Sequence, residues 1–519
     1  MSGLASLLGR RGLAIALVVA ALVRLPAFGY DVISDDEAIY DTMGHTIADG
    51  GVMYHDTVDH KPPGLAYTYA ACRAAAGTGP GAAAHSLALV HLVGLLAAAA
   101  TAAALYLLAR RLLDEQAAAW AALLYGVVSA AKQPADGLAV NGELLMNLPL
   151  ALAALAAVAG SGAGRARRVT LDVVVGALVA VAVLFKYQAG VLGLALPLLV
   201  LDEPGAWQRR VRTLIERGAL WTVGLALPLG AAALYFRHRG VLDEAVFWGL
   251  RFNREYLAQG PGLAWALQRL ALQLGGVVLP GLALYGGALA GGLALSRGDG
   301  EARPARLFIL GWSALSLWCV GLGARFFGHY FLQAELPLAL VAAAPLARLV
   351  ARAPRRAAVL AVAPLGFVAI AATPPVALRL FHAGDPDWRA IGRAAAAATR
   401  PEDTIWVWGN VPQIYYAADR REGVRFSFCN YLTGLSPATP AEYDRSVDPR
   451  RFAVPEAMAF AVADLERSRP ALVLDTAEAD LKFYGRFPLA SFAPLAARLG
   501  AHYRRAETVA GVVFYRRID

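Results

Sequence analysis

A chain of 519 residues that is 58% hydrophobic and only 17% charged, with a mean hydropathy of +0.49, is excluded from the soluble multidomain class, where about a quarter of residues carry charge. The net charge of +9 lies in short arginine blocks between apolar runs, which is the pattern of a membrane topology signal and not of a nucleic-acid-binding face. Cys72, Cys319 and Cys429 are scattered and show no ligand spacing, against both a disulfide framework and a zinc site.

A bilayer core about 30 Å thick needs about 20 apolar residues per helix. Eleven segments read as spans, at 12–29, 83–109, 113–131, 141–159, 170–185, 188–201, 218–236, 268–296, 306–322, 329–347 and 357–373. The two at 170–201 are short and meet at LFKYQAG, as a hairpin would. Arg24 and Pro26 stand where small residues should lead to signal-peptide cleavage, so the first run reads as a retained span.

Arg10/Arg11, Arg110/Arg111, RARR (165–168), RRVR (209–212), Arg297/Arg303/Arg306 and RLVARAPRR (348–356) fall in every second loop. The positive-inside rule puts these loops in the cytoplasm, and an odd number of spans then sends the C-terminal part outside. Residues 237–266, with Phe247, Trp248, Phe252 and Tyr256 beside charges, predict an amphipathic helix lying in the outer interface. From about 376 the composition becomes that of a soluble domain. TIWVWG (404–409), ALVLDT (471–476) and GVVFYRR (511–517) predict strands, with helices at DWRAIGRAAAAA and PEAMAFAVADLER. No internal repeat is visible. The predicted fold is a polytopic α-helical membrane protein of about eleven transmembrane helices (1–375, with a first outer loop at 30–82) and a small C-terminal extracytoplasmic α/β domain (376–519).

Only four of the 48 basic residues are lysine: Lys61, Lys132, Lys186 and Lys482. In a chain that uses arginine nearly everywhere, a lysine marks a position suited to a compact point charge, such as a phosphate or a tight polar site. The topology puts three of these lysines on one face. That face also carries Asp35, Asp36 and Glu37 of SDDEAIY, then Asp136, Asn141 and Glu143, and finally Arg325, His329 and Tyr330 of GARFFGHYFLQAELP.

Each has a plainer reading. SDDE is a capping box, with Ser34 as N-cap and Glu37 three residues on, but this leaves Asp36 spare. Lys61 before Pro62 and Pro63 reads also as a snorkelling anchor, Lys186 as a solvated hairpin tip, Glu143 as a second cap, and His329–Tyr330 as interfacial aromatics. Together the set describes chemistry. A carboxylate deprotonates a hydroxyl nucleophile, and lysine and arginine hold a phosphate and the charge that develops as it leaves. A polyprenyl-phosphate sugar, with its tail kept in lipid, is a substrate of this kind. The aspartates also leave a divalent metal ion open as a cofactor.

SDDEAIY followed by DHKPPGLAY resembles the signature of the membrane-embedded GT-C glycosyltransferases, in the branch of protein O-mannosyltransferases and lipid A aminoarabinose transferases, similar to bacterial glycosyltransferase family 39. The resemblance covers the whole layout. It implies Asp36 as the base that activates the acceptor, Glu37 assisting, and Lys61 on the donor phosphate. Tyr330, Arg325 and Lys186 are implied as further donor contacts, with Asp35, Glu143 and His329 as other candidates. It also implies an inverting transfer from a polyprenyl-phosphate sugar to a lipid, glycan or protein acceptor at the outer face of a bacterial inner membrane, with lipids as the surroundings and no nucleic acid partner. The competing class is a transporter or flippase of a lipid-linked or anionic substrate, which commonly shows inverted repeats and charge near the bilayer midplane.

Overall fold

The computed structural model describes residues 2–79, 81–201, 206–258, 262–297, 306–353, 355, 359–360, 362–381 and 386–519. Arg303 and Arg356 of the basic loops, and residues 357, 358 and 361 of the last apolar segment, lie outside the described residues. Among the described residues six helices are long and apolar enough to cross a membrane: Arg11–Gly29, Ala82–Leu112, Pro134–Ser161, Arg165–Phe185, Trp207–His238 and Gly328–Arg352. Two further pairs are bent, Leu263–Val277 with Leu282–Arg297 by 109° and Val362–Ala371 with Pro374–Phe381 by 101°, making up to eight if each pair is one span. The segments expected at 113–131, 188–201 and 306–322 fold as shorter helical stretches, Glu115–Val128, Gln188–Leu201 and Arg306–Gly321.

The chain divides into two compact units. The helical unit comprises Met1–Tyr30, His91–Tyr235 and Ala266–Phe381; the sheet unit comprises Asp31–Val90, Phe236–Trp265 and His382–Asp519. The first outer loop, grouped by sequence with the spans, thus shares a unit with the C-terminal segment.

In the helical unit small residues set the packing. A Cβ on Gly176 would run into the Trp221 carbonyl, and one on Gly224 into that of Val173. Lipid tails are as apolar as leucine, so close approach of backbones, rather than hydrophobic drive, holds such crossings. One buried ion pair ties three helices beside it. Arg217 Nε donates to Asp172 Oδ1 at 2.9 Å, and its Nη2 donates to the Ala157 carbonyl at 2.8 Å. Trp221 Nε1 donates to the same Asp172 oxygen at 2.8 Å. A charge buried this way persists only when its hydrogen bonds are made.

Among the described residues the sheet unit holds five strands, β1 (Thr404–Trp408), β2 (Arg421–Glu422), β3 (Leu472–Asp475), β4 (Tyr503–Val509) and β5 (Val512–Arg517), in the order β2-β1-β3-β5-β4. β1 runs parallel to β2 and β3, β5 is antiparallel to β3, and β4 pairs with β5. β3 is buried along its whole length, as central strands covered on both faces are. Helices Trp388–Ala397 and Gln413–Ala418 lay Trp388, Ile391, Ala395 and Ile414 on Ile405, Val407 and Leu472.

The outer loop is fastened to this sheet by backbone and side chain alike. Val58 N donates to the Arg425 carbonyl at 2.9 Å, Thr46 Oγ1 to Glu422 Oε1 at 3.2 Å, and Arg73 Nη2 to Asp419 Oδ1 at 2.6 Å. Residues 242–258 correct the expectation of an interfacial amphipathic helix. They form Leu242–Val246, a π-helical turn at Phe247–Arg251 and Phe252–Ala258. Trp248 and Phe252 are buried against Tyr431, with ring centroids 5.2 and 5.3 Å away. Two of the four aromatics that suggested an interface, Trp248 and Phe252, are taken up by packing within the sheet unit, while Phe247 and Tyr256 stay partly exposed.

Two expectations follow. Gly176→Leu, which drives a side chain into the Trp221 backbone, destabilises the detergent-purified protein by about 1–3 kcal/mol or more, read as a lower Tm; an unchanged Tm contradicts the close crossing. Glu422 is buried, which pushes its pKa up from 4.5 to about 8 against the opposing hydrogen bonds of Thr57 and Thr46. The folded state therefore holds a proton that the unfolded chain releases. Stability from this group is complete below about pH 4.5 and is lost as pH rises to about 8. Glu422→Gln should flatten that decline by an amount on the order of a few kcal/mol, measured as Tm against pH; parallel profiles for the two proteins would count against it.

Candidate active site

The acidic run opens helix Asp35–Ala48. Ser34 Oγ accepts from the Glu37 amide at 3.1 Å, and the buried Glu37 carboxylate accepts from the Ile33 amide at 3.0 Å. The capping arrangement is present, with its return bond made one residue before the cap. Asp36, which the cap does not use, meets Lys61: Nζ donates to Asp36 Oδ1 at 3.2 Å. Pro62 and Pro63 hold Lys61 out of the helix that follows at Gly64–Ala76, since the residue before a proline is pushed away from helical backbone.

Lys61 Nζ also stands 3.7 Å from Asp59 Oδ2 and 5.1 Å from the centroid of the Tyr40 ring. Tyr40, one helical turn after Asp36, donates its hydroxyl to Asp59 Oδ2 at 3.1 Å. The other Asp59 oxygen accepts from the His60 amide at 2.7 Å and the Tyr431 hydroxyl at 3.2 Å. His60 is itself packed on Tyr256, with centroids 4.1 Å apart, and its carbonyl accepts from Asn253 Nδ2 at 2.8 Å.

The electrostatics follow from this placement. Burial alone would discharge Lys61, but Asp36, Tyr40 and Asp59 outweigh it and hold the ammonium well above the usual lysine range. Burial likewise works to neutralise Asp59, yet Lys61 and His60 keep it far below the ordinary carboxylate range. The result is an ammonium held in its charged form beside the partly exposed Asp36.

Asp35 turns elsewhere. Its Oδ2 is 3.6 Å from Lys482 Nζ, and its Oδ1 accepts from the Gln413 side chain. The three consecutive carboxylates thus go to three different partners, and among the described residues no group of three or more His, Cys, Asp or Glu is arranged to hold a metal ion.

In the helical unit the structure brings Glu143, Lys186 and Tyr330 together. Lys186 Nζ lies 2.7 Å from Glu143 Oε1 and 4.9 Å from the Tyr330 ring centroid. Asn141 caps the Glu143 helix, accepting from the Leu144 amide at 3.0 Å. The His329 amide and Nδ1 meet Asp136 Oδ1 at 2.9 and 3.1 Å. Lys132 Nζ is 2.7 Å from Glu335 in full burial. Arg325 is buried between Ala324 and Phe326, both with positive φ (53° and 47°), a backbone that non-glycine residues adopt only when held there.

Sequence reasoning did not single out Asp59, Tyr40, Tyr431 or Glu335. Tyr40 and Asp59 were readable as the i+4 neighbour of Asp36 and the i−2 neighbour of Lys61. Glu335 was readable as a lone carboxylate inside an apolar span. Tyr431 carried no local signal. Asp59→Asn should lower the Lys61 pKa and speed its acylation by an amine-reactive reagent at pH 9, roughly tenfold per pKa unit lost. Peptide mass spectrometry resolves this readily in a chain with four lysines; equal labelling of both proteins would mean that Asp59 does not control the ammonium.

Residues 61–236 match the family model described as dolichyl-phosphate-mannose-protein mannosyltransferase. No curated protein matches the sequence. Among solved structures, the chain is similar to ArnT from Cupriavidus metallidurans bound to undecaprenyl phosphate, with 15% identity, a TM-score of 0.61, and coverage of 98% of this chain and 97% of that one. It is also similar to the archaeal oligosaccharyltransferase AglB from Archaeoglobus fulgidus in complex with an inhibitory peptide and a dolichol-phosphate, with 16% identity, a TM-score of 0.56, and coverage of 98% and 74%. At these identities the likeness is one of architecture, and the fold is that of the GT-C membrane glycosyltransferases.

Proposed function

We propose that this chain is an integral-membrane glycosyltransferase that moves a sugar from a polyprenyl-phosphate donor to an acceptor hydroxyl, with inversion, at the outer face of a bacterial inner membrane. Eleven crossings, as the sequence reads them, together with basic loops kept in the cytoplasm, support an extracytoplasmic C-terminal part. Residues 1–375 carry the enzyme, and 376–519 act with the outer loop at 30–82. The matched family model and the lipid phosphates in the similar structures support a lipid-linked donor.

The observation that carries the reading is the Asp36–Lys61 pair. Asp36 takes the acceptor hydroxyl proton as that oxygen bonds to the anomeric carbon. The carbon–oxygen bond to the donor phosphate breaks on the opposite side, and its electron pair leaves with the polyprenyl phosphate. Lys61 keeps a positive charge beside the base and stabilises the departing phosphate. Glu37 supports the base by fixing the helix start. In the helical unit Lys186, Arg325 and Tyr330 serve as donor contacts, while Glu143 and His329 orient the groups around them.

The test uses purified protein in detergent with radiolabelled polyprenyl-phosphate sugars and matching nucleotide sugars, following sugar release by wild type and Asp36→Asn. A general base contributes about 10²–10⁴-fold, so the variant should lose at least 10²-fold in kcat while keeping donor binding. Equal release by both proteins removes Asp36 from the chemistry. Donor binding without release by wild type, together with movement of the lipid across vesicle membranes, would favour a flippase.

A further inference from the structure

In the sheet unit a cleft of about 240 Å³ opens between the end of helix Ala457–Ser468, helix Ala493–His502 and the adjoining ends of β4 and β5. Holding one water takes about 10–15 Å³ of such space, so the cleft has room for a ring-sized ligand. We propose that it binds a sugar phosphate, with arginine side chains on the phosphate. The site is separate from the transfer chemistry and stands whether or not that reading holds.

The helix that follows the carboxyl end of β1 begins at Gln413, whose side chain donates to Asp35. Arg469 instead precedes β3, which is parallel to β1, and Arg517 ends β5, which is antiparallel to β3. The cleft thus lies at the sheet end opposite the start of the Asp36 helix. One of its residues stands where the fold does not ask for it. Arg469 closes helix Ala457–Ser468 with a φ of 44°, a left-handed conformation in which glycine is the usual residue. Its amide donates to the Leu465 carbonyl at 3.1 Å and its carbonyl accepts from Arg517 Nη1, so the backbone is held there. Among the described residues the Arg469 guanidinium makes no hydrogen bond or ion pair. Asp519 is held below the usual carboxylate range chiefly by its His502 hydrogen bond and only weakly by Arg469. Backbone strain in a non-glycine residue clusters at functional sites, and here it carries an idle cation on the edge of a cleft.

The lining selects the anion. The guanidiniums of Arg469, Arg498 and Arg517 line the cleft together with the carboxylates of Glu466 and Asp519, and both acids already have partners. Arg498 Nη2 lies 2.5 Å from Glu466 Oε1, and His502 Nδ1 lies 2.9 Å from Asp519 Oδ2. Both pairs are exposed to water, where such pairs are weak, so an incoming phosphate competes for their cations. A planar carboxylate is filled by one guanidinium fork. A tetrahedral phosphate ester carries about two charges and three acceptor oxygens, and forks reach it from several directions. Here the three forks come from a helix end, a second helix and a strand end. Leu465 and Tyr503, both buried, supply an apolar wall for the body of the sugar.

The experiment is isothermal titration calorimetry of the full chain in detergent at low salt, with glucose 6-phosphate, inorganic phosphate, glucuronate and methyl glucoside as probes. Glucose 6-phosphate should bind most tightly of the four. Arg469→Gly and Arg498→Gln should each weaken it roughly tenfold or more, the loss expected of one charge-assisted hydrogen bond. Glycine suits the left-handed position, so Arg469→Gly should keep or raise the Tm while it loses the ligand. No binding of either phosphate probe overturns the proposal, as does equal binding by wild type and both variants. A lower Tm in Arg469→Gly with phosphate binding intact makes the arginine a structural residue and also overturns it. Inorganic phosphate or glucuronate bound as tightly as glucose 6-phosphate removes the sugar phosphate as the ligand. Tighter binding of dihexanoyl phosphatidic acid than of glucose 6-phosphate, lost in the same variants, makes the occupant a lipid headgroup and overturns the assignment to a sugar.

Discussion

The arrangement around Asp36 depends on one buried carboxylate, that of Asp59. A carboxylate taken out of water is tolerated only when its oxygens are fully engaged. Here the engagement comes from Tyr40 on the acidic helix, Lys61 and the His60 amide in the same loop, and Tyr431 far along the chain. The local motif is therefore completed by a non-local residue. Fixing Asp59 fixes the lysine, and the lysine fixes Asp36, a carboxylate of the acidic run that the cap does not use. The loop's bonds to Arg425, Glu422 and Asp419 make the same statement at the level of folding: the outer loop is a layer of the sheet unit.

The same rule governs the helical unit, with less water and fewer alternatives. Asp172 is shared by Arg217 and Trp221, Glu335 by Lys132 and Tyr285, and Asp136 by Gln133 and His329. Each of these three carboxylates meets a partner on another helix or loop. Such pairs set which helices touch and in which register, a role that apolar packing among alanines and leucines leaves open.

What could be read from sequence was local. The cap at Ser34 follows from SDDE, because the bond spans three residues. The strands at 404–408, 472–475 and 512–517 announce themselves by β-branched and aromatic runs. The apolar segments were found by length, but their bends and shortfalls were not, since a 109° break between two helices is decided by neighbours. β2 is two residues long, and β4, mostly exposed and carrying Arg504, Arg505 and Glu507, has no apolar alternation to find. Residues 242–258 misled because aromatics beside charges look alike whether they face lipid headgroups or a protein core. Asp59 was overlooked because an aspartate in a loop has no periodicity, and its partner Tyr431 is 372 residues away.

The lysine count carried more than the topology argument alone could. The scarcity of lysine suggested phosphate contacts, yet every one of the four ammoniums meets a carboxylate: Lys61 meets Asp36 and Asp59, Lys132 meets Glu335, Lys186 meets Glu143, and Lys482 meets Asp35. These two facts are compatible. A guanidinium presents a rigid fork that matches one planar partner and is largely spent on it. An ammonium is a point charge with three rotatable donors. It can remain on its carboxylate, which keeps it charged in a buried place, and still turn a donor to an incoming phosphate or hydroxyl. A site that must hold its cation ready before the substrate arrives therefore favours lysine over arginine, even in a chain that uses arginine for nearly everything else.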